Sequence, residues 1–371
     1  MATAPPLSIH VVVGLDQTDQ ALVAMGLQID LPDSAVFTVT VDAEAGRVHW
    51  TLTDVTGRLD HGSEDVEHPC LSCSIREAIL PTLVRLAQTG QWSRLVVVLP
   101  VASEPLALTL ALADGETPDG PASRYLQTAS VVAVVSAKDL CDGIFGDDLL
   151  ADLGLQMIED DRRAYGEVLV AQIELADEIV LVHPEPDEAD QALLDHLRRP
   201  SSQVHVGLEN AGELARVETV HDTAAARSYA DPRRRHPSGA DAAGGIVTLD
   251  LCTWKPFHPE RLLARIEDLG AGDQRARGAF WLPGRPDLAI AWEAAGGALA
   301  IGSVGEWEDA PRQTRLIVTT DEETALQIRE AFDDAVMSDA EMMGAAVTWA
   351  GRDDGFAEWL GEVESGTGGG L

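Results

Sequence analysis

Arg94 to Leu99 reads RLVVVL, and Ile9 to Gly14 reads IHVVVG. A strand with one face in water shows polar residues at every second position, and these runs hardly do. Both their faces must be covered, as in a parallel sheet with helices on either side. Ser130 to Val135 and Glu178 to Val182 are two more runs of this kind, the second led in by a helical stretch from Tyr165 to Ala176. After Gly14, Thr18 stands where a helix N-cap would, ahead of Ala21, Leu22, Val23 and Met25, so the chain opens as strand, turn, helix. Ala35 to Val41 and Val48 to Thr53 read as strands joined by a hairpin at residues 43–46. A polar, acidic loop from Asp60 to Pro69 follows, then a helix with Ile75, Ile79, Leu83 and Leu86 on one face. Asp187 to Leu197 reads as a crossover helix and Gln203 to Val206 as a short strand. Strands alternating with helices predict an open, mostly parallel α/β sheet over residues 1–215.

The remainder divides in two. Residues 216–245 include RSYADPRRRHPSGADAAGG, without apolar periodicity, and read as a flexible Arg/Pro/Gly-rich linker. From Ile246 a smaller α+β domain is expected to run to residue 371. Its strands are 246–251, Ala276 to Leu282, Leu288 to Trp292, Ala298 to Ile301 and Thr314 to Thr319, with Gly296-Gly297 as one turn. Its helices run from Pro259 to Leu269 and from Glu322 to about Val336, the latter capped by Asp321; the tail GTGGGL is expected to be disordered.

Composition narrows the function. The 371 residues carry 26 Lys+Arg against 62 Asp+Glu, a formal net charge of −36, which excludes a simple binder of nucleic-acid backbones and argues against direct DNA contact. Aromatic residues make up 5% of the chain, too few for a stacking platform, and leave Leu, Val, Ala and Ile to build the cores. No apolar run is long enough to cross a bilayer, and the first ten residues lack a secretory pattern, so a cytoplasmic protein is expected. Cys70, Cys73, Cys141 and Cys252 are too few for a disulfide framework.

Several segments, taken in order, resemble the CobW family of P-loop GTPases, the metallochaperone group with a GTPase domain followed by a CobW C-terminal domain. They are CLSCSIR (Cys70 to Arg76), RLVVVLPVASEP (Arg94 to Pro105), QIELADEIVL (Gln172 to Leu181), WKPFHPERLLARIEDL (Trp254 to Leu269) and RARGAFWLP (Arg275 to Pro283). The resemblance implies a P-loop-NTPase-like first domain, GTP with Mg²⁺, and zinc or cobalt as the metal handled. Within the family the chain is most similar to the actinobacterial branch that recruits a ribosome hibernation factor.

The nucleotide motifs depart from the family pattern. A Walker A loop needs backbone N–H groups around the phosphates, a Lys, and a Ser or Thr for magnesium. VVVGLDQTDQAL retains only Gly14, and the lysines of the chain are Lys138 and Lys255. Asp16 and Asp19 place negative charge where a triphosphate would sit, a repulsion on the order of a few kcal/mol for charges about 4 Å apart. Apolar Val98, Leu99, Pro100 and Val101 replace the family's acidic residue and Thr-Thr-Gly, and Val182, His183, Pro184, Glu185 replace Asn-Lys-x-Asp. Gly14, Thr18 and Glu185 are what remains of the cofactor-binding positions. A pseudo-GTPase that holds a partner is expected; the alternative is a working GTP-dependent metallochaperone for zinc or cobalt.

At the family's Cys-x-Cys-Cys motif the middle thiol is Ser72, leaving Cys70 and Cys73. His68 is a suitable third zinc ligand, with His61, Asp65 and Glu67 in the same loop. Two other readings stay open: small thiols packing at a helix start, and a redox Cys-x-x-Cys. His258 before Pro259 reads as a local structural residue; Trp254, Trp281 and Trp292 read as core or interface positions; Ser103 with Glu104 and Ser136 with Asp139 lack the turn of a nucleophilic site. The expected partner is a protein: a hibernation factor, ribosomal proteins or a metal-receiving client. A basic protein would be drawn to the acidic surface, and ribosomal RNA could be met only through protein contacts or the basic run Arg233 to Arg235.

Overall fold

The computed structural model describes residues 5–31, 33–138, 140–183, 185–207 and 220–362. The tail GTGGGL, Asp139, Pro184 and linker positions 216–219 lie outside them. Two compact units emerge: the first from residues 1–140, 148–187 and 197–227, the second from 141–147, 188–196 and 228–371.

The first unit is built on eight strands. In chain order come β1 (Leu7–Gly14), α1 (Gln17–Asp30), β2 (Ser34–Asp42), β3 (Arg47–Asp54), β4 (Gly57–Asp65), α2 (Leu71–Ser74), a π turn (Ile75–Ile79), α3 (Leu80–Thr89), β5 (Arg94–Val98) and α4 (Pro105–Asp114). A short pair, β6 (Glu116–Thr117) and β7 (Gly120–Pro121), precedes β8 (Leu126–Ser136), α5 (Leu140–Phe145), α6 (Tyr165–Leu175), β9 (Glu178–Val182), α7 (Glu188–Leu197) and β10 (Gln203–Val206). Most of α5 and α7 groups with the second unit.

The strand order is β10-β9-β8-β1-β5-β2-β3-β4. All neighbours from β10 to β2 are parallel, and β3 and β4 add an antiparallel edge. The expectation of a mostly parallel sheet flanked by helices is met. Val11, Val12 and Val13 are fully buried. Val12 meets Val23, Ala24 and Leu27 of α1 with Val96, Val98 and Val132, which is why one helix face must be aliphatic. The opposite face, presented by Ile9, Val11 and Val13, is covered as well, with α4 and α6 packed along β1 and β8.

Two details of this unit differ from the sequence reading. The expected loop at 60–69 begins as strand β4, whose residues are almost all exposed, so no apolar alternation marks it. The helix after Cys70 is interrupted by the π turn, where the Leu80 N–H reaches back to Ile75 O. Pro81 follows immediately. Proline donates no hydrogen bond and its ring presses on the carbonyl four residues earlier, and a widened turn relieves both conflicts.

Past β10 come α8 (Thr223–Ala230) and a 3-10 turn, Pro232–Arg234, where the sequence suggested a featureless linker. Arg233 pairs with Asp231 at 3.0 Å and Glu308 at 3.4 Å, Arg234 with Asp309, and Arg235 with Glu293. The run is held by carboxylates on the same unit and is no free basic patch; this corrects its candidacy as a contact for RNA.

The second unit contains β11 (Ile246–Thr253), α9 (Pro259–Ala264), α10 (Ile266–Gly270), β12 (Gln274–Leu282), β13 (Arg285–Ala295), β14 (Ala298–Glu306), β15 (Thr314–Asp321), α11 (Glu322–Ala335), α12 (Asp339–Thr348) and α13 (Ala357–Leu360). Its sheet, ordered β11-β15-β12-β13-β14, is antiparallel throughout. Gly296 and Gly297 both have positive φ, as a tight β13–β14 turn demands. Asp321 caps α11 through the N–H groups of Glu323 and Thr324, as expected. The predicted helix Pro259 to Leu269 breaks at Arg265, and α12, opened by a Ser338/Glu341 capping box, was not anticipated. The aliphatic expectation fits the first sheet but not this core: Phe257 packs on Phe280 and Phe332 with ring centroids 5.5 and 5.3 Å apart, and Phe280 on Trp292. Trp281 and Trp292 are buried, while Trp254 is 61% exposed.

Candidate metal centre and remnant nucleotide site

β4 delivers the chain to a loop ending at Cys70, the N-cap residue of α2. One turn of backbone then brings Cys73 round to the same side as Cys70, because residues three apart share a helix face. One ligand atom each from His68, Cys70 and Cys73 fall within 4.8 Å of one another. His61, Asp65 and Glu67 do not join them: His61 sits on β4, Asp65 pairs with Arg47 at 2.6 Å, and Glu67 is held through its backbone N–H by the Glu77 carboxylate.

Glu77 ties this loop down. Its carboxylate accepts the Glu67 N–H at 2.8 Å and Arg76 at 2.5 Å, and Arg76 in turn donates to Cys73 Sγ at 3.6 Å. Those two contacts, the Glu67 N–H first, hold the Glu77 carboxyl below the usual range. Burial pushes the Cys70 thiol up, but the Cys73 N–H, His68 and the Cys73 thiol outweigh it and bring Cys70 down to about 7. Cys73 moves the other way, chiefly through its hydrogen bond with Cys70. A half-exposed thiolate beside an exposed imidazole is a donor set that suits zinc and leaves a coordination position open.

The positions at which the sequence suggested a nucleotide lie at the carboxyl ends of the central strands. Only Leu15 and Asp16 separate β1 from α1. The cap of α1 is Asp16, not Thr18: the Asp16 carboxylate accepts the N–H groups of Thr18 at 2.7 Å and Asp19 at 3.0 Å. A carboxylate caps better than the expected threonine because it is charged, and Asp16 stands two residues closer to the strand. Gly14 is closed over by Gln20, whose Cγ would lie 3.0 Å from an added Cβ. The Gln20 amide donates to Leu99 O, and the Gln172 amide to Gly14 O and Ser103 O. His183 Nε2 sits 2.9 Å from Asp19 Oδ2. Neither Gln20, Gln172 nor this His–Asp pair was singled out from sequence, since partners up to 164 positions apart leave no local signal.

A cavity of about 430 Å³ remains nearby, with Asp16, Gln17, Gln20, Thr38 and Thr40 on its polar side. Thr18 and Glu185 do not line it; both are exposed. Of the other residues considered, His258 stands at the N-cap position of α9 without a side-chain capping bond, its ring edge-on to Trp349, and burial pushes its imidazole pKa down. Ser103 is buried and Glu104 pairs with Arg163 at 3.1 Å, so no nucleophile with an adjacent base forms there.

Comparison with known proteins agrees with the second unit. Residues 246–336 match the family described as cobalamin synthesis protein cobW C-terminal domain. That stretch is similar to CobW C-terminal domains. The chain is 29% identical over 385 residues to a zinc chaperone of Mycobacterium tuberculosis, covering 94% of this chain and 92% of that one. The zinc-regulated GTPase metalloprotein activator 1 of Dictyostelium discoideum is 22% identical over 280 residues, 69% of this chain and 57% of its own. Among solved structures, the Zn(II)-bound YjiA GTPase from E. coli aligns over 90% of this chain and 99% of its own at 15% identity, with a TM-score of 0.32. No helix of the described residues of this chain is long and apolar enough to cross a membrane.

Proposed function

We propose that this CobW-like protein takes part in zinc homeostasis by holding a zinc ion at His68, Cys70 and Cys73 for a protein partner, without hydrolysing GTP. The observation that carries the zinc reading is the gathering of three ligand atoms within 4.8 Å on a loop braced by Glu77 and Arg76. Its similarity to a zinc chaperone and to a zinc-regulated metalloprotein activator supports it. Here zinc is cargo, and the open coordination position is what allows it to be passed on.

The reading as a pseudo-GTPase rests on the turn after β1. The residues there do not fit a magnesium triphosphate: the connection is too short to wrap phosphates, its helix N–H groups are taken by Asp16, and Gln20 fills the space above Gly14. Fluorescent GTP titrated with and without Mg²⁺ should show no saturable binding in the micromolar range and no turnover. Saturable binding with turnover would instead favour the GTP-dependent metallochaperone reading for zinc or cobalt.

The partner is a protein, and the net charge of −36 favours a basic one. A hibernation factor or ribosomal proteins meet that requirement, and so does a basic client enzyme. Pull-down from zinc-starved extract decides among them, and absence of ribosomal proteins from the captured set would remove the hibernation reading. Zinc content of untagged protein, repeated for Cys70→Ser and Cys73→Ser, tests the metal itself. Unchanged stoichiometry in both variants would sink the site.

A further inference from the structure

Three protein donors leave a tetrahedral zinc site one ligand short, and no further His, Cys, Asp or Glu among the described residues joins the group. Cys70 has a second neighbour. It also lines a cavity of about 430 Å³ within the first unit, floored by Leu106, Ala107 and Leu110 of α4 and walled by Met157 and Ile158. The same thiol thus belongs to both the donor group and an aliphatic recess.

The charges on that recess are Glu104, Asp161 and Arg163. Arg163 is bound to Asp161 at 2.8 Å and Glu104 at 3.1 Å, and also donates to Ala102 O, so it is spent on its own carboxylates. Two carboxylates against one guanidinium leave the rim negative. Such a site accepts an aliphatic side chain together with a cationic neighbour and rejects an acidic one.

We propose that this cavity seats the donor that completes the zinc site: a partner-protein segment bearing a Cys flanked by aliphatic and basic residues. The inference rests on the zinc reading above. The aliphatic side chain lodges against Leu106, Ala107 and Met157, the basic residues meet the acidic rim, and the thiol is left beside Cys70. Selection of the partner and access to the metal then occur in one place.

The test uses the full-length chain loaded with zinc and a labelled, end-blocked peptide, KLCLK, in reducing buffer. Binding by fluorescence anisotropy is expected to weaken at least tenfold for KLSLK and for an acidic counterpart, DLCLD. Filling the recess by Ala107→Phe, or by Leu106→Phe should the first variant not fold, is expected to weaken KLCLK at least tenfold with zinc per chain unchanged. Undiminished binding by either folded variant, or equal affinity for N-acetylcysteine, overturns the proposal and leaves the zinc reading standing. Failure of the unmodified chain to bind zinc at all overturns the zinc reading first, and this inference with it.

Discussion

Among the helix starts that follow a strand in the first unit, those of α1 and α2 have opposite characters. At α1 the Asp16 carboxylate takes the first free N–H groups, Gln20 covers Gly14, and the end is sealed by the protein's own atoms. At α2 the N-cap residue is Cys70, whose side chain makes no capping bond and stays available beside Cys73 and His68. The difference teaches where ligand-holding capacity resides in this molecule. A helix start that supplies its own anion has no further use for a phosphate, whereas side chains not used for capping remain free to ligate.

The comparison can be broken most directly at the open end. Cys70→Ser and Cys73→Ser should each weaken zinc on the order of 100-fold in competition with a chromogenic chelator; loss of a single ligand in a three-donor set has few means of compensation. A change confined to a few-fold would show that the thiols only pack.

A smaller effect belongs to the strand feeding the sealed end. His10 bonds Ser130 at 2.8 Å, and burial, with Arg94 adding to it, pushes its pKa down from 6.5 to about 4. The folded protein therefore keeps His10 neutral while the unfolded chain binds the proton. This contribution to stability is fully present above about pH 6.5 and is lost as pH falls towards 4, by at most about 3 kcal/mol. Urea unfolding of the wild type and His10→Gln across that interval checks it; the variant should lose the His10 part of the slope.

Removing the seal tests whether it matters for nucleotide. Asp16→Ala should cost roughly 1 kcal/mol of stability, the usual loss on deleting a cap, and Asp16→Asn much less. Neither should create measurable GTP affinity, because the two-residue turn is unchanged; appearance of micromolar binding would show that the carboxylate alone blocks the site. Smallest of all, Arg47→Ala removes an exposed pair with Asp65 and should leave the urea midpoint unchanged in the same measurement.

Much of the fold could be read from buried apolar runs. Glu178–Val182 matches its expected boundaries, because a fully covered strand differs from its flanks at both ends; Gln203–Val206 matches too, although it is an edge strand with only His205 buried. β4 escaped notice for the opposite reason, its edge position leaving GRLDHGSED exposed. The helix Asp339–Thr348 was missed although Ser338 and Glu341 form the expected capping signature, since only Ala345 among its residues is buried and no apolar stripe drew attention to it. Within the candidate sites, the lack of a lysine in the opening turn could be seen directly, and so could the spacing of Cys70 and Cys73.

By itself the amino-acid order determined the sheet, the resemblance of the second domain to CobW C-terminal domains and the lack of a lysine in the opening turn, because each is written in contiguous residues through hydrophobic period or local turn chemistry. Only the tertiary structure decided that Asp16 and not Thr18 closes α1, that His68 joins the thiols while His61 does not, and that Cys70 borders a cavity formed by α4 and residues 157–163. Those outcomes depend on where the packed sheet places segments far apart in the chain, and pairwise distance in space has no counterpart in linear spacing.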